Sequence, residues 1–148
     1  MTGIARFRAF ETDDAIVCLE LFDANCPDYF AVNERDDYRE FLATNGVGYQ
    51  VCEWDREVVG AYGLFDEDGA LRLNWILIHP RFHGKGIGAS IMNRILIEAG
   101  RSSIGLVRIA ASHKSAPFFA KFGAVRLRVT PDGWGPGMNR VDMELATE

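Results

Sequence analysis

The residues best placed to do chemistry lie in His83-Gly84-Lys85-Gly86-Ile87-Gly88. Three glycines within five positions are costly in a bare turn, because glycine loses the most conformational freedom on ordering. An apolar run, Leu73 to Ile78, precedes them and is long enough for a buried strand; His79-Pro80 ends it, since proline cannot donate to a sheet ladder. Ile87, Ile91 and Ile95 then recur every four residues as one face of a helix. Strand, glycine turn and helix start together aim several free backbone N–H groups at one spot. The helix dipole adds positive potential there, and the glycines admit close approach to the main chain. A phosphate-bearing ligand is the natural occupant.

Two phosphate loops fail on spacing. A Walker A loop needs four residues between its glycines and a Lys followed by Ser or Thr, whereas Lys85 precedes Gly86. A dinucleotide fingerprint needs Gly-x-Gly-x-x-Gly and an acidic residue about twenty positions on. Here the last spacing of Gly84-x-Gly86-x-Gly88 is wrong, and the next strand ends in Ala111-Ser112-His113 without a carboxylate. The whole run from Ile76 to Gly88, with Pro80 and Phe82 at their positions, resembles the acyl-CoA-binding motif of the GNAT superfamily of acyl-CoA-dependent N-acetyltransferases.

That resemblance implies acetyl-CoA as co-substrate and a cofactor site made of two parts. Ile76, Leu77 and Ile78 would lie along the pantetheine arm, and the pyrophosphate would sit on the turn formed by His83, Gly84, Lys85, Gly86, Ile87, Gly88 and Ala89. The family usually carries Gln or Arg where His83 stands. A later family segment, Asn-x-x-Ala-x-x-x-Tyr-x-x-x-Gly-Phe, is matched imperfectly, with Ser112 for the Asn, Phe119 for the Tyr, Gly123 for the Gly and Ala124 for the final Phe. In many members that Tyr protonates the leaving thiolate, and Phe119 has no proton to give. A carboxylate that some members carry early on the motif strand falls on Arg72.

The usual acid and one usual base are therefore absent, and a positioned acid or base contributes roughly 10²–10⁴-fold. An alkyl thiol, with a pKa of about 8.5, leaves tolerably as the thiolate, but a lysine-like amine, at about 10.4, needs a base. Glu53, Tyr62 and His79 are candidates, with Asp66 and His113 beside them, and the residues alone do not choose among these. Asp23, Asp28, Glu34, Asp36 and Asp37, near Tyr29 and Phe30, read either as a solvated surface or as a rim that attracts amines. Trp134, set among Gly133, Gly135, Pro136 and Gly137, could wall an acceptor pocket or pack on a second copy of the chain, so a homodimer stays open.

Composition narrows the partners. The chain of 148 residues is 48% apolar and 25% charged, with a formal net charge of −5 and a pI near 5.2. It suits one domain over residues 1–148. The acidic balance argues against a nucleic-acid partner, whose footprint is basic. No stretch is long and apolar enough for a membrane span, and the first ten residues lack a signal h-region. Cys18, Cys26 and Cys52 are odd in number and widely spaced, which suggests a reducing cytoplasm and no metal site. His79 and His83 have helical i, i+4 spacing, but Pro80 separates them in a strand-to-loop transition, so a shared metal is not expected.

The elements that must position these residues read as follows. Ile4 to Phe10 is a first strand; Thr12 or Asp13 caps a helix over Asp14 to Phe22; a second helix starts near Asn33. Tyr49 to Trp54 and Glu57 to Phe65 form a hairpin around Asp55-Arg56, and residues 66–69 turn into the motif strand. After the motif helix come a strand at Ile104 to Ala110, a short helix from Ser115, a strand through Val125, Leu127 and Val129, a loop from Pro131 to Gly137, and a last strand, Met138 to Leu145. The order β, α, α, β, β, β, α, β, α, β, β is that of GNAT domains. The fold class implied is α/β (α+β): a central mixed, mostly antiparallel, twisted sheet of about seven strands flanked by about four helices. The function implied is transfer of an acetyl group from acetyl-CoA to a primary amine of a small molecule, peptide or protein, by direct attack in a ternary complex. The alternative is a non-catalytic acyl-CoA-binding or sensing module that lacks the usual acid. A purely structural domain would leave the three glycines unexplained.

Overall fold

The computed structural model describes residues 5–44 and 48–147. The elements follow the expected order: β1 (Ala5–Ala9), α1 (Ala15–Asn25), α2 (Glu34–Thr44), β2 (Tyr49–Trp54), β3 (Glu57–Glu67), β4 (Ala70–Ile78), α3 (Ile87–Gly100), β5 (Leu106–Ser112), α4 (Ala116–Ala120), β6 (Val125–Gly135) and β7 (Met138–Ala146). The seven strands form one sheet in the order β1-β2-β3-β4-β5-β7-β6, antiparallel throughout except where β4 meets β5. Each face carries its own core. Ile87, Ile91, Met92 and Ile95 of α3 pack with Val107, Ile109 and Val141 on one side. Cys18, Leu21 and Phe22 of α1 pack with Tyr38, Tyr49 and Leu77 on the other. This is the seven-stranded mixed sheet with four helices that the sequence implied.

The site depends on where β4 and β5 part. These parallel neighbours pair only at Leu71–Val107 and Arg72–Arg108, then splay. Beyond that point the β5-facing edge of β4 has no ladder partner, and backbone groups left so are open to a ligand. On its other edge β4 stays paired to β3, but the register shifts: Ala61 faces Leu77 and Gly63 faces Asn74. Tyr62 therefore stands opposite two residues, Trp75 and Ile76, and Trp75 adopts a left-handed φ of 45°. A bulge with a non-glycine residue at positive φ is strained and re-aims the side chains around it.

Several boundaries differ from the sequence reading. The start at Ile4 lies outside the described residues. Neither Thr12 nor Asp13 caps α1; residues 12–14 form a 3₁₀ turn, and Asp14 Oδ2 accepts the Glu11 N–H at 2.8 Å. The first helix runs three residues past Phe22, to Asn25. The strand expected from Ile104 begins at Leu106, because Gly105 holds a φ of 69° while its carbonyl accepts the Thr147 N–H at 2.8 Å. The expected loop from Pro131 to Gly137 is mostly strand: β6 continues to Gly135 with a register break after Thr130, and the turn is Pro136-Gly137. Side chains replace the missing ladder there, with Asp132 N–H donating to Asn139 Oδ1 at 3.0 Å and Gly137 N–H to Asp132 Oδ1 at 2.8 Å.

Candidate active site

A cleft of about 670 Å³ occupies the space between the splayed strands. One end of the cleft is the turn before α3. Gly84 and Gly86 hold φ of 77° and 87°, and a Cβ built on either meets no atom within 4 Å. An L side chain there would be strained and would fill open space above the main chain, which is what a cradle for a bulky anion requires. Two amides of the turn are already engaged: His83 N–H donates to Pro80 O at 3.1 Å and Lys85 N–H to Phe82 O at 3.2 Å. The N–H groups of Gly84, Gly86, Ile87, Gly88 and Ala89 have no acceptor among the described residues, as expected of a helix N-terminus. Gly88 serves packing instead, since a Cβ there would strike the Phe118 ring at 2.7 Å. The Ile87 side chain is in the core, and Lys85 does not line the cleft. Lys114 and Lys121 do line it.

The wall is β4. His79 N–H donates to Val59 O on β3 at 2.8 Å, so the alternation along a strand turns the Ile78 main chain towards the cleft. Ile78 O there accepts from Asn25 Nδ2 at 3.0 Å and lies 2.9 Å from His83 Nε2. His83 thus ties turn to strand through its ring, while Tyr29 meets that ring edge-on at 5.4 Å. Ile76 and Leu77 line the same wall, and Ser112 and Phe119 stand across from it. Phe119 is only 2% exposed, packed beside Phe118.

The inner end is built from segments far apart in sequence. Trp75 lies against Tyr38, with centroids 4.8 Å apart, and near Phe30 and Phe41. Tyr49 O–H donates to Trp75 O at 2.6 Å, and the Tyr38 and Tyr49 hydroxyls are 2.8 Å apart, so a buried phenol pair holds the bulge from behind. Burial pushes both phenols well above their ordinary pKa, which keeps them neutral donors. Glu34, at the start of α2, reaches this end while only 5% exposed. Its Oε2 accepts the Ala31 N–H at 2.8 Å. Burial pushes the Glu34 carboxyl up to about 7, against the smaller opposing effect of that hydrogen bond. Trp134 closes the far side: its Nε1 donates to Ala111 O at 2.9 Å, and Asn33 Nδ2 donates to its carbonyl at 2.8 Å. Close contact with Arg140 at Gly133 and with Asn33 at Gly135 leaves no room for Cβ atoms, so those glycines seat the Trp.

The base candidates from sequence lie elsewhere. Glu53 accepts from Arg8 Nε at 3.2 Å at the β1–β2 edge. Tyr62 is buried under α3, accepting from Arg94 Nε at 2.9 Å. His79 Nδ1 accepts the Arg81 N–H, His113 Nδ1 accepts the Asn139 N–H, and Asp66 accepts the Gly69 N–H. None of the five lines the cleft. Of the acidic rim, Asp23 and Asp36 are taken up in exposed pairs with Arg35 and Arg39, and Glu34 alone turns inward. Trp75, Asn25 and Tyr49 carried no signal in sequence beyond that of ordinary core residues. Among the described residues no cluster of His, Cys, Asp and Glu could hold a metal, and no helix is long and apolar enough to cross a membrane.

Comparison with known proteins places this geometry. The family model described as the acetyltransferase (GNAT) family matches residues 18–124. No curated protein sequence matches the chain significantly. Among solved structures, yncA from Salmonella typhimurium, described with its cofactor acetyl-CoA, is 16% identical with a TM-score of 0.71, covering 100% of this chain and 95% of its own. A GCN5-related N-acetyltransferase from Rhodopseudomonas palustris is 19% identical at a TM-score of 0.79, over 99% and 98% of the two chains. The ribosomal-protein-S18-alanine N-acetyltransferase of Escherichia coli is 12% identical at 0.77, over 98% and 95%.

Proposed function

Because the chain belongs to the GNAT acetyltransferase family, we propose that it transfers an acetyl group from acetyl-CoA to a primary amine by direct attack in a ternary complex. The observation that carries this reading is Glu34: a buried carboxyl with a pKa of about 7, on a cleft that also holds a turn with five unengaged amides. The fit to acetyl-CoA rests on those amides and on the open space above Gly84 and Gly86. Lys114 and Lys121 add charge for its phosphates.

Acetyl-CoA supplies, when bound, an acyl group activated as a thioester. The chain's residues orient it and manage one proton. Main-chain N–H groups of the splayed part of β4 are the donors available to the thioester oxygen, and one such donor is typically worth about 2.7–4 kcal/mol. Glu34 receives the ammonium proton on the oxygen not engaged by Ala31. A carboxyl with a pKa near neutrality is suited to that task, being half ionised at pH 7 and basic enough to draw the proton. The N–C bond forms as the C–S bond breaks, and with Phe119 where relatives hold a phenol, the sulfur departs as thiolate; the second amine proton leaves the strongly acidic N-protonated amide for solvent.

The test is CoA release from acetyl-CoA against a broad panel of primary amines. Turnover with at least one amine is expected, falling roughly 10²–10⁴-fold in Glu34→Gln. CoA binding by calorimetry without turnover for any amine would leave the non-catalytic acyl-CoA-binding reading, which Phe119 and Arg72 favour.

A further inference from the structure

Apart from Glu34, the cleft lining holds no carboxyl side chain among the described residues. Arg72, at the closed end of the β4–β5 fork, and Arg140, on β7, both line it, with Asn74 between Arg72 and the bulge. Each is tethered by its Nε alone. Arg72 Nε donates to Glu67 Oε2 at 3.0 Å, and Arg140 Nε donates to Asp142 Oδ1 at 3.0 Å. The terminal nitrogens of both guanidiniums have no partner among the described residues. Arg140 is held further by Trp134, over whose ring its guanidinium carbon sits at 5.0 Å.

The tethers do not neutralise the arginines. Glu67 is shared with Arg108 Nη1 at 3.6 Å, and Asp142 with Arg128 Nε at 3.7 Å. Each carboxylate therefore lies between two guanidiniums, and each trio keeps one positive charge in excess. The side chains of Arg72 and Arg140 are 29% and 35% exposed, so their fields are only partly screened. Glu144 faces Arg108 in register but does not line the cleft.

The CoA phosphates do not account for Arg72. Six residues of extended strand separate it from Ile78, which is about 20 Å, and the phosphate turn lies further on. Arg72 is three residues from the bulge at Trp75, on the side of the acceptor. The cleft thus carries one ammonium receiver and two guanidinium forks, and Trp75 and Trp134 share the same lining.

Resting on the acetyltransferase reading, we infer that the acceptor is an amine bearing an oxyanion a few bonds from its nitrogen: a zwitterion of the amino-acid class. Arg72 and Arg140 hold the acid group by forked hydrogen bonds, which suit carboxylate and phosphonate alike. Glu34 faces the amine. A peptide or protein N-terminus carries no such acid beside its amine and is disfavoured.

The experiment compares matched acceptors on the intact chain: free amino acids, their amides, the corresponding decarboxylated amines, and aminoalkylphosphonates. The expected result is kcat/KM at least about 100-fold higher for the acids than for the amides, the scale of losing a charge-assisted pair. Activity of the phosphonates but not the carboxylates would identify the acid as phosphorus-based within the same chemistry. In Arg140→Met and in Arg72→Met the acid-to-amide ratio should fall towards one, and Arg140→Lys should restore part of it. Having both variants guards against a folding defect in either. Equal or better turnover of amides, amines or peptides would overturn the inference while leaving the acetyltransferase reading intact. If no acceptor turns over, calorimetric titration of the CoA-loaded protein decides. Binding of acids but not amides, lost in Arg140→Met, supports the anion subsite and removes the enzyme reading. Absence of acid-selective binding overturns the subsite.

Discussion

In the proposed reaction, Glu34 serves chemistry at the expense of stability. Its carboxyl titrates at about 7 in the folded chain against an ordinary value of 4.5. Between those values the folded state binds the extra proton, so stability falls as pH rises through that window; the penalty is absent below it and complete above about 7. Glu34→Gln keeps an oxygen for the Ala31 N–H and removes the buried charge. It should therefore gain roughly 1–3 kcal/mol over the parent at pH 8 and almost nothing at pH 4, while turnover falls. Urea unfolding at the two pH values checks this, and an equal gain at both would show that Glu34 ionises without cost. Phe119 makes the complementary case. It lines the cleft where relatives carry a phenol, so Phe119→Tyr is expected to fold with little change in melting temperature and to turn over as fast or faster. Slower turnover at unchanged CoA affinity would mean that the site has been rebuilt around the bare ring.

At the scale of elements, the strand–turn–helix unit was legible because its signals are local: an apolar run, a proline stop, glycines, then an i, i+4 stripe. What the glycines do was only half legible. Gly86 is required by its left-handed backbone under open space, Gly88 by the Phe118 ring, and spacing cannot tell these apart. Gly86→Ala should weaken CoA binding at least about tenfold with a stability loss of about 1–2 kcal/mol, the usual cost of a left-handed alanine. Gly88→Ala should instead unfold at a clearly lower temperature, because a packed aromatic ring must move. Calorimetry with CoA and thermal unfolding separate the two; equal CoA affinity in a folded Gly86→Ala would sink the cradle. The bulge at Trp75 was not legible at all. The apolar run from Leu73 to Ile78 fits a plain buried strand, and the extra residue shows only in pairing with β3. Tyr49 pins it, so Tyr49→Phe, which strips the part-buried Trp75 carbonyl of its donor, should cost about 1–2 kcal/mol. It should also lower kcat while CoA affinity holds, since the phosphate turn is remote. A variant with unchanged kcat would show that the bulge holds itself.

At the scale of the whole molecule, the cleft exists because two parallel strands part after two residue pairs, and three distant segments close on the gap. Glu34 from the start of α2, Trp75 from β4 and Trp134 from the β6–β7 hairpin are joined by contacts such as Asn33 Nδ2 to Trp134 O. No local pattern records such convergence, which is why the sequence offered Glu53, Tyr62 and His79 and left Glu34 as one acid among five. The same convergence constrains proton traffic. The hydroxyls on the cleft are Tyr29, Ser112 and Ser115; the two serines bond each other at 3.2 Å, and Tyr29 packs on His83. Tyr62, the acid that sequence would nominate, sits under α3, bonded to Arg94, and does not line the cleft. On the proposed mechanism, with no phenol on Phe119, the thiolate leaves unassisted, so turnover needs one deprotonated group and no protonated one. kcat at saturating substrates reports the ternary complex. It should rise once with pH, centred at or below about 7 because a bound ammonium favours the Glu34 carboxylate, and then stay level until the fold fails. A general acid would give a bell instead. A descending limb with intact structure would show that an acid operates, and its loss in Tyr29→Phe would locate it on the α1–α2 connection.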